Sequence, residues 1–249
     1  MKHKKNNSRK TFEITIPVLD EAQTLEQQIR LLHAFLKKHF PDPGQWSILI
    51  ADNGSTDDTP RIAEELCQKL PEVRFIRLPE RGVGLALKTS WAQATTDIIG
   101  YMDLDFSTDL RHFLQAWEML TQKGCQLVYG TRLHPQSKVI GRSLKREISS
   151  RVFNFILKRY LGVHFSDGMC GFKFLHRDIY PRLYEAGAQN NGWFFSTELL
   201  VTAEWTHINL CELPVTWTDD PHNSRVKIIP LALQYLKAMK NLKEWKINQ

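Results

Sequence analysis

Two aspartates one residue apart, Asp103 and Asp105, close an apolar run from Asp97 to Met102 in the stretch Tyr101-Met102-Asp103-Leu104-Asp105-Phe106-Ser107. Along a strand the side chains of i and i+2 leave on the same face, so both carboxylates can reach one hard divalent cation. Oxygen ligands of this kind suit Mg²⁺ or Mn²⁺, which keep waters and take substrate phosphates as their remaining ligands. Two aspartates after a strand also serve as a solvated strand end or a helix N-cap, and the neighbouring segments decide between these readings. Asp52-Asn53-Gly54-Ser55-Thr56-Asp57-Asp58-Thr59 is a polar turn by composition. At a strand's carboxyl end, beside a metal-pyrophosphate site, its leading aspartate can also accept hydrogen bonds from a base or ribose. Arg81-Gly82-Val83-Gly84-Leu85-Ala86-Leu87-Lys88-Thr89 invites comparison with the phosphate-cradling P-loop but fails it: the required second glycine is Leu87, and the loop follows the third strand. No G-x-G-x-x-G follows strand one, which argues against a dinucleotide dehydrogenase. The loop is either a glycine turn entering a helix or a backbone contact to a ligand.

The elements that must position these residues alternate. Glu13 to Val18, Ser47 to Ala51, Val73 to Leu78, Asp97 to Met102 and Leu127 to Gly130 read as strands. Between them lie helical stripes: Thr24 to His39 with Leu25, Ile29, Leu32 and Phe35 or Leu36, then a helix opened by Thr59-Pro60, then Leu85 to Ala94 and Leu110 to Lys123. Such alternation predicts an α/β fold, a mostly parallel, right-handed central sheet with helices on both faces. Ligands of these sheets bind beyond the carboxyl ends of the strands. Pro17 to Glu21, Asp52 to Asp58, Arg81 to Gly84 and Asp103 to Ser107 all fall there.

After Gly130 the alternation breaks into an α+β extension on the acceptor side. It comprises a basic helix Ser143 to Leu161, a short strand Gly171 to Leu175, an aromatic segment Trp193 to Phe195 and a helix from Pro230 to about Trp245. The 249 residues, 42% hydrophobic and 24% charged, suit one substantial core. A formal net charge of +6 with clustered cations asks for an anionic partner: a phosphorylated substrate, anionic lipid or nucleic acid. Cys67, Cys125, Cys170 and Cys211 are widely separated, which predicts no metal or redox pair and a reducing, cytoplasmic setting. No run approaches the roughly 20 apolar residues that span a bilayer, and the basic start, residues 1–10, reads as a disordered tail rather than a targeting signal.

Taken together these segments resemble glycosyltransferase family 2, of the GT-A, Rossmann-like fold, and within it the dolichol-phosphate mannose synthase branch with its bacterial polyprenyl-phosphate relatives. The resemblance covers Phe12 to Val226. It runs through Pro17-Val18-Leu19-Asp20-Glu21, with Asp where Asn is frequent, and the Asp52 to Thr59 signature, with Asn53 and Asp58 replacing an Asp and a Gly. It continues through Arg81 to Ala86, Asp103-Leu104-Asp105 and Gly130-Thr131-Arg132. Later matches are Arg146, Ser150 and Asn154 on one helix, Asp167 to Lys173, Glu212-Leu213-Pro214-Val215 and Asp219 to Val226.

The resemblance implies an inverting, metal-dependent transfer of a sugar from GDP-mannose or a UDP-hexose to a polyprenyl or dolichyl phosphate. It assigns Asp103, Asp105 and Ser107 to Mg²⁺ or Mn²⁺, and Pro17, Leu19, Glu21, Asp52, Asn53, Met102, Asp103, Leu104 and Arg225 to the donor. Arg132, Arg146 and Ser150 hold the acceptor phosphate, with Asp105, Arg132 and Arg146 as the catalytic set. A lipid monophosphate is already largely ionised near neutral pH, so no general base is required. The alternatives are transfer to a hydroxyl, with Asp167 as the base, or a non-catalytic protein that binds the nucleotide-sugar. A nucleic-acid binder explains none of the carboxyl-end motifs. The domain plan is the tail, a glycosyltransferase domain over 11–226 and a C-terminal amphipathic helix over 227–249. The basic helix, with Ile148, Val152, Phe155 and Ile156 among its charges, either lies at a membrane interface or packs in the core. The expectation is a protein peripheral to the cytoplasmic face of a membrane, alone or held by a separate membrane subunit docked on Leu233, Leu236, Met239 and Leu242.

Overall fold

A computed structural model describes residues 9–219 and 228–248. The start of the basic tail and the Asp220 to Val226 part of the last motif, with Arg225, lie outside the described residues. The first half follows the predicted alternation: β1 (Phe12–Val18), α1 (Leu25–His39), β2 (Trp46–Asp52), α2 (Thr59–Lys69), β3 (Val73–Arg77), α3 (Val83–Gln93), β4 (Ile98–Met102) and α4 (His112–Thr121). The second half is β5 (Leu127–Thr131), β6 (Lys138–Ile140), α5 (Leu144–Leu161), β7 (Phe172–His176), a 3-10 turn (Arg177–Ile179), α6 (Tyr180–Glu185), α7 (Phe195–Trp205), β8 (Leu210–Pro214), β9 (Thr216–Thr218) and α8 (Ile228–Ile247). Asp58 rather than Thr59 occupies the N-cap position of α2, without a side-chain capping hydrogen bond.

Seven strands form one sheet in the order β3-β2-β1-β4-β7-β5-β8, and β6 pairs with β9 beside it. The β1 strand lies between β2 and β4, parallel to both. The chain thus winds outward through β2 and β3, then returns to the other side of β1. That reversal opens a crevice at the carboxyl ends of β1 and β4. Strand β7 runs antiparallel to both β4 and β5. One core, built from α1, α2 and α4, covers one face of the sheet; a second, built from α3, α5, α6, α7 and α8, covers the other. With helices on both faces, β1 and β2 are buried along nearly their whole length, Glu13 and Thr15 of β1 included.

Two predictions change. Cys125 and Cys211 form a disulfide, because β5 and β8 are sheet neighbours although their cysteines are 86 residues apart. The argument from unpaired cysteines to a reducing compartment therefore falls. On α5 the buried face is Ser150, Asn154, Leu157 and Leu161, while Leu144, Ile148, Val152 and Phe155 are 79%, 61%, 51% and 69% exposed. Core packing is thus not what this apolar stripe does. On α8, Met239 and Leu242 are core residues, while Leu233 and Leu236 stay exposed. Among the described residues no helix is long and apolar enough to cross a membrane.

Candidate functional site

The loops after β1 and β2 are tied together by side chain to backbone hydrogen bonds. Asp20, with a left-handed φ of 53°, accepts from the Thr56 amide at 2.8 Å while its own amide donates to Ser55 Oγ at 2.9 Å. The Thr56 amide holds the Asp20 carboxyl below its ordinary pKa despite the opposing desolvation. The Glu21 amide donates to Thr59 Oγ1 at 2.8 Å and the Ala22 amide to Asp57 Oδ2 at 3.1 Å. Asp, where the family frequently has Asn, therefore serves here as the clasp between two loops.

Asp52 is fully buried, and its Oδ1 accepts from the Ser55 amide at 3.0 Å and from Ser55 Oγ. Its Oδ2 and the Oδ1 of Asn53 are buried without a hydrogen-bond partner among the described residues. Arg77 Nε stands 3.4 Å from that Asp52 oxygen. A cleft of about 440 Å³ adjoins them, lined by Gly54, Ser55, Thr56, Arg77, Leu78 and Pro79. Buried polar atoms left open beside a cleft are what a hydrogen-bonding ligand would satisfy.

The glycine loop has a different task. The Gly84 amide donates to Gly192 O at 3.2 Å, and the Leu85 amide to Asn191 O at 3.0 Å. Lys88 Nζ donates to Asn191 Oδ1 at 2.6 Å and to Gln189 O. The first amides of α3 are thereby spent on the 189–192 loop instead of a phosphate. A Cβ at Gly84 would collide with Asn190 O and Phe195, so this close approach explains the glycine.

Strand β4 ends at Met102, so Asp103 and Asp105 lie in a turn and the strand-alternation argument for their common face does not apply. They separate in environment. Asp103 sits against Gly171, where any Cβ would overlap its carboxylate, and its amide donates to Gly171 O at 3.2 Å. Burial, then the charge of Asp105, raises the Asp103 pKa to about 7, against the pull of Lys173 and Arg132. Asp105 is exposed and accepts from the Ser107 amide at 2.9 Å and Ser107 Oγ at 2.8 Å. Met102 and Leu104 point into the core at 2% and 6% exposure. Among the described residues no group of three or more His, Cys, Asp or Glu side chains is placed to hold a metal. Two mutually repelling carboxylates with a glycine-lined seat nevertheless fit a divalent cation that draws its other ligands from a bound substrate.

The turn Asp167 to Gly171 joins this site to a second one. Asp167 is fully buried and takes a bidentate pair from Arg132, Nε to Oδ2 at 2.7 Å and an Nη to Oδ1 at 3.0 Å, plus the Arg132 amide at 3.1 Å. Burial alone would raise the Asp167 pKa; the Arg132 charge and hydrogen bonds outweigh it and hold the carboxyl at about 2. Asn154 Oδ1 accepts from the Gly168 amide at 2.9 Å, fixing the turn to α5. Lys173, fully buried, donates to Cys170 O at 2.6 Å and Ser196 Oγ at 2.7 Å, and desolvation lowers its pKa to about 8. Lys173 stands inside a matched motif but was assigned no role; it lies opposite Tyr101 on β4, its ammonium 5.9 Å from the ring centre.

Arg146 does not line the same cavity as Arg132. It pairs with both oxygens of Asp219 and lies one α5 turn from Ser150, whose buried Oγ has no partner among the described residues. The cavity beside Arg132, about 390 Å³, is instead shared with Arg142, Leu144, Glu147 and Arg151. Arg142 and Trp217 escaped sequence assignment, because only the pairing of β6 with β9 brings them together.

Residues 13–183 match the model of glycosyl transferase family 2. The glycosyltransferase AglD of Haloferax volcanii is 30% identical over 205 residues, covering 82% of this chain and 32% of that protein. The dolichyl-phosphate beta-glucosyltransferase of Homo sapiens is 27% identical over 225 residues, 84% of this chain and 68% of that one. The chain thus spans about a third of the first relative's length and about two thirds of the second's. Among solved structures, glucosyl-3-phosphoglycerate synthase from Mycobacterium tuberculosis, in complex with Mn²⁺, UDP and glucosyl-3-phosphoglycerate, superposes with a TM-score of 0.66 at 19% identity. It covers 94% of this chain and 80% of that one, a likeness of fold.

Proposed function

The chain belongs to glycosyl transferase family 2, and from that premise we propose that it transfers a hexosyl group from a nucleoside-diphosphate sugar to a polyprenyl phosphate at a membrane surface. The observation that carries the proposal is the Asp167 to Gly171 turn. One end holds Arg132 and the other seats Asp103, so a donor pyrophosphate and an acceptor phosphate would meet across five residues. The names of the dolichyl-phosphate relatives support the acceptor class, and the UDP and Mn²⁺ of the structural neighbour support the donor and metal classes.

On this reading the base and ribose take the open oxygens of Asp52 and Asn53, with Pro17, Leu19 and Glu21 as the facing wall. Met102 and Leu104 offer only main-chain atoms, their side chains being buried. Asp103 and Asp105 hold Mg²⁺ or Mn²⁺, with Ser107 orienting Asp105. Bound there, such an ion would supply positive charge to the departing diphosphate. A phosphate oxygen of the acceptor forms the new bond to the anomeric carbon while the bond to the diphosphate breaks, and Arg132 holds that acceptor phosphate; Arg146 and Ser150, on α5 outside the Arg132 cavity, belong to the acceptor set by their motif. Arg225 belongs to this donor set by its motif. Asp167 is a poor general base, since it is ion-paired and acidic, which favours a phosphate nucleophile over a hydroxyl.

The exposed stripe Leu144, Ile148, Val152 and Phe155, among Arg151, Lys158 and Arg159, supports docking on an anionic bilayer. The face is the cytoplasmic one on the nucleotide-sugar reading; there Cys125 and Cys211 would be held as thiols, so the redox state of this pair tests the placement. A labelled nucleotide-sugar offered with polyprenyl phosphate or with the corresponding polyprenol tests the function. Label should enter the lipid only with the phosphate; equal labelling of the alcohol would instead support the hydroxyl-acceptor alternative.

A further inference from the structure

The cavity beside Arg132 holds more positive charge than the acceptor set accounts for. Arg142 joins β6 to the Ser143 cap of α5, and its side chain is only 8% exposed. Its guanidinium lies against the Trp217 indole, 5.7 Å from the ring centre, and Arg132 lies against the same ring at 5.4 Å. An Nη of Arg142 donates to Glu147 Oε2 at 2.9 Å, while Arg151 Nε takes the other Glu147 oxygen at 2.6 Å. Asp167 is committed to Arg132, so among the described residues Glu147 is the carboxylate paired with both Arg142 and Arg151. The Nε of Arg142 is buried with no hydrogen-bond partner among the described residues. A buried N–H without a partner is a cost that native structures rarely carry unless something else takes it up. The missing complement is an acceptor of negative charge.

Leu144, at the rim of the same cavity, begins the exposed stripe that continues through Ile148, Val152 and Phe155. A ligand with an anionic head and an apolar tail matches both features at once. We propose that Arg142 is a further phosphate-holding residue of the acceptor site. Its Nε–H meets a phosphate monoester beside Arg132, and the Trp217 ring fixes both guanidinium planes. This rests on the polyprenyl-phosphate reading and deepens it: Arg142 joins Arg132 in holding the acceptor phosphate, and its chain leaves past Leu144 onto the α5 stripe. A guanidinium stacked on an aromatic ring with one directed donor is a geometry lysine does not reproduce.

The test measures binding of a short, soluble polyprenyl phosphate and of its alcohol to the full chain by calorimetry, with UDP and Mn²⁺ present. Wild type should prefer the phosphate. Arg142→Gln should weaken phosphate binding by roughly 10- to 100-fold, the range for one hydrogen bond to a charged group, and leave alcohol binding and the donor KM unchanged. Arg142→Lys keeps the charge and secures the test should the glutamine variant fold poorly; it should raise the acceptor KM severalfold at constant donor KM. Wild-type phosphate affinity in either folded variant, with the wild-type preference for phosphate intact, overturns the role of Arg142 and leaves the acceptor reading standing. A wild-type protein that binds alcohol as tightly as phosphate overturns both.

Discussion

Asp167→Asn separates a buried counter-ion from a general base. Asparagine preserves the side-chain shape but removes the charge that faces Arg132, whose guanidinium then lies buried without compensation. Two magnitudes bear on the outcome. The depression of the Asp167 pKa from 3.8 to about 2 corresponds to roughly 2 kcal/mol of preferential interaction with the ionised form. Removing one partner of a buried ion pair typically costs about 3–5 kcal/mol. The larger range applies, because the titration shift does not count the stranded Arg132 charge. Unfolding stability at pH 7 should therefore fall by about 3 kcal/mol or more, read as a lower urea midpoint at unchanged slope. The pH signature follows from the sign of the shift. A carboxyl with a folded pKa below its unfolded value stabilises fully above about pH 4, and that stabilisation fades as pH falls toward 2. Wild type should lose its advantage over the variant across that window. A variant as stable as wild type from neutral to acid pH, yet inactive toward every acceptor, would refute this account and make Asp167 the catalytic base.

Asp105→Asn should leave urea stability within about 0.5 kcal/mol, since the side chain is exposed and, among the described residues, bonds within its own turn, yet cost at least about a hundredfold in turnover at saturating Mn²⁺; urea denaturation checks the first half and steady-state kinetics across a metal titration the second. Reduction of the Cys125–Cys211 bond, which closes a long loop, should lower unfolding stability by up to about 4 kcal/mol. The disulfide sits before the first residue of β5 while Arg132 follows its last, so transfer measured before and after reduction should change little.

The first half of the fold was legible because each β-α unit carries both its period and its stop signals. Leu25, Ile29, Leu32 and Leu36 form a helical stripe in sequence, and all four are fully buried against the sheet. Strand direction was not legible in the second half. The Gly171 to Leu175 strand was expected, but nothing in a five-residue apolar run records that it inserts antiparallel between β4 and β5. The same insertion places Gly171 against Asp103 and Lys173 beside Tyr101, so the support of the aspartate turn depends on a contact some 70 residues distant in sequence. The carboxyl-end residues Asp52, Asp103 and Asp105 were found by motif and position, although the stated reason for the aspartate pair, strand alternation, gives way to a turn. Arg132 and Arg146 were expected at one phosphate, and the structure pairs each with a carboxylate of its own, Asp167 and Asp219. Those pairings depend on tertiary closure, and sequence spacing does not encode them.

On the proposed reading the acceptor's phosphate oxygen attacks the sugar. The most direct measurement uses polyprenyl phosphate with ¹⁸O in its non-bridging phosphate oxygens, an unlabelled nucleotide-sugar, metal and the full chain, with isotope position read by ³¹P NMR and mass spectrometry. Attack by phosphate leaves ¹⁸O in the new bridge between phosphorus and the anomeric carbon, and a released nucleoside diphosphate free of ¹⁸O. A lipid product whose sugar is bonded elsewhere than to the labelled phosphate, or sugar released to water with the acceptor unchanged, would contradict it.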